Sequence, residues 1–296
     1  MNVLKSIQLY FKLFYLFLIG KIIGKEEYKE EYDEVSKTYS RWIERMKKYL
    51  DEILRLDFLE DNLQARVLDF ACGTGYITKK LLSNFDNPNL SLTAVDISEK
   101  MLEIAQLEID DPRCTFVLQD GMSFLKMEES EKYDSIYCGF ALPYFNRRKV
   151  VKQFTRILKK NGTIHLILNC RGTLEGVFEI YLDLMKRKPS TINKIMEIGL
   201  NLPKSEKSLN VLFAKYRFDT ISIKTVNEWV MFNTPNELYD WLIQTGAIAG
   251  TGKIFTENKE IKDVIISKIK ETLVYDNQYR INHKFILAVF RKSSQR

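Results

Sequence analysis

Three aspartates stand at or just past the ends of short apolar runs, and each is followed by residues that open the backbone. Asp69 closes Val67-Leu-Asp and leads through Phe70 into the turn Ala71-Cys-Gly-Thr-Gly75. Asp96 ends Thr93-Ala-Val-Asp about 20 residues beyond that turn, and Asp120 stands in Val117-Leu-Gln-Asp-Gly-Met122. Glycines at 73 and 75 let backbone approach a ligand where a side chain would collide, and a helix starting there aims its free amides at the same spot. A carboxylate at the end of the following strand can accept both hydroxyls of a ribose, which makes Asp96 the ribose candidate. A dinucleotide diphosphate is disfavoured, because Thr78 stands at the third glycine position of G-x-G-x-x-G and an acid precedes the turn. Taken singly, Asp69 also reads as a turn former or helix cap, and Asp120 as an ordinary Asp-Gly turn.

These residues meet only if a parallel sheet brings its strand ends to one edge. The chain has the alternation for such a sheet: strand 66–70, helix 76–82, strand 90–95, helix 99–109, strand 115–118, strand 133–137, helix 147–160 and strand 163–168. Short strands alternating with helices predict an α/β fold with a doubly wound, mostly parallel sheet, whose ligands bind at the carboxyl edge. Residues 1–60 read as an N-terminal helical lid, its stretch Glu26 to Glu60 forming one or two amphipathic helices. Residues 61–170 read as the core. Residues 171–234 read as an inserted cap, helical first and strand-like from Val211 to Phe232. Residues 235–296 read as the end of the core sheet, with helices 235–244 and 259–273 and a closing strand 284–291.

In order and separation, the segments around Asp69, Asp96 and Asp120 and the run Tyr133-Asp-Ser-Ile-Tyr-Cys-Gly-Phe140 resemble the class I S-adenosylmethionine-dependent methyltransferases, closest to the ubiquinone/menaquinone-biosynthesis-like small-molecule group. Tyr32-Asp-Glu-Val-Ser-Lys-Thr-Tyr39 is similar to the family's lead-in, and Arg156-Ile-Leu-Lys-Lys-Asn-Gly162 to its approach to the fifth strand. The resemblance spans about Tyr32 to Asn169. It implies a seven-stranded Rossmann-like sheet and S-adenosyl-L-methionine as cofactor. Asp69 and Gly73, with Ala71 and Gly75 in the same turn, would hold the methionine end, and Asp96 the ribose. Ile97 and Met101 would form one face of the adenine site, Asp120 would take the amino group, and Gly121, Met122 and Cys138 would complete the lining under a Tyr39 lid. Ala71 occupies a position where the family often has glycine.

The implied reaction is in-line methyl transfer to the oxygen, nitrogen or carbon of a small hydrophobic or aromatic acceptor. Tyr144, in Phe140-Ala-Leu-Pro-Tyr-Phe145, is the candidate acceptor-site residue, and Pro143 stands where relatives often carry histidine. The alternatives are an RNA or protein methyltransferase and a non-catalytic cofactor-binding subunit. Of the two histidines, His165 lies in an apolar strand and reads as a core residue, and His283 begins a late strand. Arg171 meets either an anionic acceptor or a surface carboxylate.

Composition narrows the partners. With 45 Lys+Arg against 39 Asp+Glu the net charge is +6, too modest for a nucleic-acid footprint. The four cysteines lack the spacing of metal ligands, so no metal is expected, and a reducing, cytoplasmic compartment follows. Met1 to Lys25 is apolar and basic at once, with no acid. Its unbroken apolar run between Lys12 and Lys21 is too short to span a bilayer, and no cleavage site follows it. Residues 1–25 therefore suit a peripheral membrane contact, a dimer contact, or docking on the chain's own domain.

Overall fold

The computed structural model describes residues 3–54, 64–85, 87–196, 201–256 and 259–294. The end of the expected 26–60 helical stretch, beyond residue 54, lies outside them. The strands are β1 (Arg66–Phe70), β2 (Ser91–Asp96), β3 (Cys114–Leu118), β4 (Tyr133–Gly139), β5 (Leu158–Asn169), β6 (Phe218–Phe232), β7 (Val274–Tyr275) and β8 (Gln278–Lys292). They lie in the order β3-β2-β1-β4-β5-β8-β6, with β7 paired to β8. The pairs β1–β2, β2–β3, β1–β4 and β4–β5 are parallel, while β8 runs antiparallel to β5 from Thr163 opposite Arg291 to Asn169 opposite Phe285.

The sheet is thus mostly parallel, with one strand more than the expected seven. The extra strand is the two-residue β7, which turns back into β8 through Asp276 and Asn277, both at positive φ as a tight hairpin requires. The strand order reverses between β1 and β4, which opens a crevice at their carboxyl ends. Val67, Leu68 and Phe70 are fully buried, as a parallel strand covered on both faces demands, and Asp69 is a charged-type residue fully buried among them.

Packing divides the chain into two units. One holds residues 39–171, 201–226 and 285–296; the other holds 1–38, 172–200 and 227–284. In the first, helices α3 (Ser40–Leu54), α4 (Tyr76–Asn84), α5 (Glu99–Glu108), α6 (Gly121–Met127), α7 (Arg147–Ile157) and α9 (Glu206–Lys215) accompany the sheet. The second contains α1 (Val3–Leu18), α2 (Lys25–Val35), α8 (Glu175–Arg187), α10 (Pro235–Gln244) and α11 (Lys259–Thr272).

The grouping departs from the segment boundaries expected from sequence. Residues 201–226 join the core rather than a cap, because Leu209 and Phe213 of α9 are buried in the main cluster and Phe213 stacks on Phe290 at 4.1 Å. Residues 211–215 are helical, since Ser205 caps α9 and strand geometry begins only after Arg217 at φ 62°. Residues 235–284 group with the second unit, where Trp241 packs against Phe232 and Phe255 against Tyr181.

His165 is a core residue. Its Nδ1 lies 3.0 Å from the Ile53 carbonyl and so donates, which leaves Nε2 to accept from Thr163 Oγ1 at 3.0 Å. The ring stacks on Tyr137 at 4.4 Å, and burial pulls its pKa from 6.5 down to about 4. A group whose pKa is lower in the folded than in the unfolded state contributes stability that is present above pH 6.5 and lost as pH falls toward 4. Denaturant titrations should show the wild type losing about 2 kcal/mol relative to His165→Gln between pH 7.5 and pH 5, the other titrating groups being common to both. An equal loss in the variant would contradict this role.

Candidate active site

The turn after β1 is held by two carboxylates. Asp96 accepts the Gly73 N–H on Oδ2 at 2.8 Å and the Ser98 N–H on Oδ1 at 2.9 Å, fixing the end of β2 to the glycine turn. Asp69 Oδ2 accepts the backbone N–H and the hydroxyl of Thr78 at 3.1 and 2.7 Å, which ties β1 to the first turn of α4. Asp69 Oδ1 is buried without a partner. Burial pushes this carboxyl up to about 7, against the Thr78 hydrogen bonds that lower it and with the nearby charge of Asp96 adding to the rise. A donor group of a ligand, best a cation, is what this oxygen lacks.

The glycines differ in their reasons. Gly75, at φ 80°, would drive a Cβ to 2.9 Å from Ile109 Cδ1 and 3.0 Å from Ala105 Cβ, so helix packing demands it. Gly73, at φ 56°, would aim a Cβ toward the Tyr39 ring with 3.7 Å to spare, so turn and ring bound a slot that a side chain would fill. Ala71 takes φ 58° without being glycine, a conformation that costs about 1 kcal/mol.

The sequence candidates divide accordingly. Asp69, Ala71, Gly73, Gly75, Asp96 and Ile97 gather at the carboxyl ends of β1 and β2, and Tyr39 faces the turn. Asp120 follows β3, which runs beside β2 with Leu118 opposite Asp96. Its Oδ1 caps α6 by accepting the N–H and hydroxyl of Ser123, so it serves as a cap as well as a candidate ligand group. Gly121 is required by packing, since a Cβ there would meet Phe70 at 2.7 Å. Met122 and Ile97 are half-buried, whereas Met101 and Cys138 are enclosed by protein. Tyr144 lies half-buried in the helical turn Leu142–Tyr144 beyond β4.

Sequence reasoning did not single out two features of this edge. Phe140, at φ 58°, is gripped edge-on by Trp42 and Phe285, with centroids at 5.3 and 5.6 Å. Asn169 Oδ1, at the end of β5, is buried without a partner. The periodicity of α3 marked Trp42 as apolar-facing, but nothing local announced Phe285 as its neighbour.

No protein nucleophile presents itself. Burial pushes the Cys138 and Cys114 thiols up to about 12, and His283 is buried in the other unit. Among the described residues no cluster of His, Cys, Asp or Glu could hold a metal. Arg171 is exposed. Beside the N-terminus of α7, a basic cavity of about 480 Å³ is lined by Arg147, Arg148, Lys204 and Lys215, none in an ion pair among the described residues.

Residues 67–162 match the family model described as a methyltransferase domain. The chain is similar to the malonyl-[acyl-carrier protein] O-methyltransferase of Acetivibrio thermocellus, at 24% identity over 261 residues that cover 83% of this chain and 84% of that one. It is also similar to the demethylmenaquinone methyltransferase of Thermotoga maritima, at 33% identity over 103 residues, 34% of this chain and 42% of that protein. Its fold matches that of a candidate methyltransferase from Bacillus halodurans C-125, with a TM-score of 0.58 at 20% identity, covering 83% of this chain and 99% of the other. Residues 67–162 form a methyltransferase domain with the class I fold, and the cofactor of such a domain is S-adenosylmethionine. An unpartnered carboxylate oxygen and a glycine slot under an aromatic ring fit that molecule's amino group and backbone.

Because Asp69 must be ionised to receive an ammonium group, affinity for S-adenosylhomocysteine should rise about tenfold from pH 6 to pH 8. Calorimetric titration of Asp69→Asn should show about ten- to hundredfold weaker binding with the pH dependence removed. An unchanged pH profile in Asp69→Asn would contradict the assignment.

Proposed function

We propose that the enzyme methylates a small hydrophobic or aromatic acceptor drawn from the surface of an anionic membrane. The observation that carries this reading is the outer face of α1. Tyr10, Phe11, Phe14 and Leu18 are exposed to 72%, 70%, 61% and 65%, while Leu16 on the inner side is buried. Lys5, Lys21 and Lys25 are exposed along the same segment, which has no acid. An aromatic, apolar and basic face of this kind lies in the headgroup region of anionic lipid, where lipophilic acceptors reside. No helix among the described residues is long and apolar enough to cross a membrane. The compartment is the cytoplasm, in keeping with four free cysteines.

In the site, Asp69 Oδ1 receives the cofactor's amino group, Asp96 its ribose hydroxyls and Asp120 its adenine amine. Ile97 and Met122 flank the adenine, and Tyr39 covers the slot beside Gly73. The cofactor supplies a sulfonium-activated methyl group, so the protein's task is to hold the acceptor in line with water excluded. Tyr144 orients the acceptor. This division of labour agrees with a buried, hydrogen-bonded His165 and with thiols kept protonated by burial.

A second reading rests on the basic cavity formed by Arg147, Arg148, Lys204 and Lys215, which suits an acidic carrier protein or its phosphate-bearing arm. On that reading the acceptor is a carboxylate tethered to the carrier, as the name of the Acetivibrio thermocellus relative states for that protein. Tritium transfer to lipophilic phenols and quinols, set against malonyl-carrier protein, separates the two.

Co-sedimentation tests the leading reading. The enzyme should bind phosphatidylglycerol vesicles more tightly than phosphatidylcholine vesicles, and the exposed pair Phe11→Ser/Phe14→Ser should bind more than about tenfold more weakly. If the variant partitions like the wild type, or if it instead dissolves a dimer that the wild type forms without lipid, the membrane reading fails.

A further inference from the structure

The second unit contains a cavity of about 480 Å³ that methyl transfer does not use, and every residue of its wall belongs to that unit. The wall is mixed, with Val35 of α2, Leu242 of α10, Ile248, and Ile261 and Ile265 of α11 forming its aliphatic part, and Glu34, Lys253 and Lys262 among its charged residues. A polar group is set into it. Glu31 of α2 accepts the Gly250 N–H on Oε2 at 2.6 Å, while its Oε1 is buried without a partner. The Thr251 hydroxyl oxygen is buried beside it, with the Tyr181 hydroxyl as its neighbour. The loop wraps the carboxylate closely: Gly250 holds φ 93°, and a Cβ at Gly252 would stand 3.3 Å from Glu31 Oε1.

Nothing in the fold calls for an acid here. The Gly250 N–H accounts for one oxygen of the carboxylate and not for the other, and a buried carboxylate with an open lone pair is costly to keep. The surrounding charges do not neutralise it. On its own helix Glu30 and Glu34 are acidic; Lys253 on the facing turn pairs with Glu30 at 3.4 Å, and Lys262 of α11 lies over the Tyr239 ring. The hydroxyl groups of Tyr181 and Tyr239 complete the polar lining. Burial pushes the Glu31 carboxyl up to about 7, with Gly250 and Lys253 opposing the rise and Glu34 and Glu30 adding to it. The group is therefore poised to ionise when a cation or hydrogen-bond donor enters.

We infer that this cavity is a second ligand site, for an apolar small molecule with one hydrogen-bond-donating head, an ammonium or a hydroxyl, seated against Glu31 Oε1 and Thr251 Oγ1. Its volume is that of a typical small-molecule pocket, and the aliphatic part of its wall together with the buried, open oxygen of Glu31 sets both the ligand's class and its orientation. The site stands on this cavity alone and does not depend on the membrane reading of α1.

Calorimetry on the full chain tests it with octan-1-amine, octan-1-ol and octanoate at pH 8. The amine and the alcohol should bind with one-to-one stoichiometry and octanoate at least about tenfold more weakly, because an ionised carboxylate brings no donor and meets Glu31. Glu31→Gln should reduce the preference for amine over alcohol, and Glu31→Met should remove discrimination among the three. Ile243→Trp, at a partly exposed position of the wall, should block all of them. Titration with S-adenosylhomocysteine should be unchanged in every variant, which shows that each has folded and separates this site from the cofactor site. Equal affinity of wild type for octanoate and octan-1-amine, or retention of head selectivity in both Glu31 variants, would overturn the inference.

Discussion

Asp96 is the point on which the site depends. One carboxylate receives two backbone N–H groups, from Gly73 in the turn after β1 and from Ser98 in the turn after β2, so a single side chain sets the distance between the two loops that frame the crevice. Hydrogen bonds to a carboxylate are the stronger kind, and here they fix the turn that Gly73 makes at φ 56° and the extended residue Ser98 that caps α5. Asp69 then does for the start of α4 what Asp96 does for the turn, with one oxygen spent on Thr78 and the other left open.

Burial explains why these two acids behave differently. Asp69 sits inside a strand covered on both faces, so burial opposes its ionisation, whereas Asp96 is partly exposed and receives a backbone donor on each oxygen. The same reasoning carries to Glu31, which burial and an incomplete set of partners leave poised in the wall of its cavity. His165 is the contrasting case: its partners are complete, and it is structural.

The core was legible in the sequence wherever the physics is local. Strands 66–70 through 163–168 announce themselves as short apolar runs because both faces of a parallel sheet are buried, and the turn at 71–75 does so because glycine is needed there; residues 158–160, which read as the end of a helix, already belong to β5. What was not legible depends on distant packing. Residues 211–215 read as strand by composition yet continue a helix, because Phe213 is drawn to Phe290. Gly121 stood in the cofactor lining by resemblance, and the contact a Cβ there would make with the Phe70 ring is a packing requirement that no local signal announced. Glu31, in Lys-Glu-Glu-Tyr-Asp, reads as one more acid on a solvated helix, and only the Gly250 loop, 219 residues away, encloses it.

The crystal structure of the enzyme with S-adenosylhomocysteine is the most direct test of the account. It should show the ligand's amino nitrogen within hydrogen-bond distance of Asp69 Oδ1 and both ribose hydroxyls on Asp96, with Tyr39 over the turn. A ligand bound elsewhere, or one that leaves Asp69 Oδ1 unpartnered, would contradict the claim that the turn between β1 and α4 is the cofactor site.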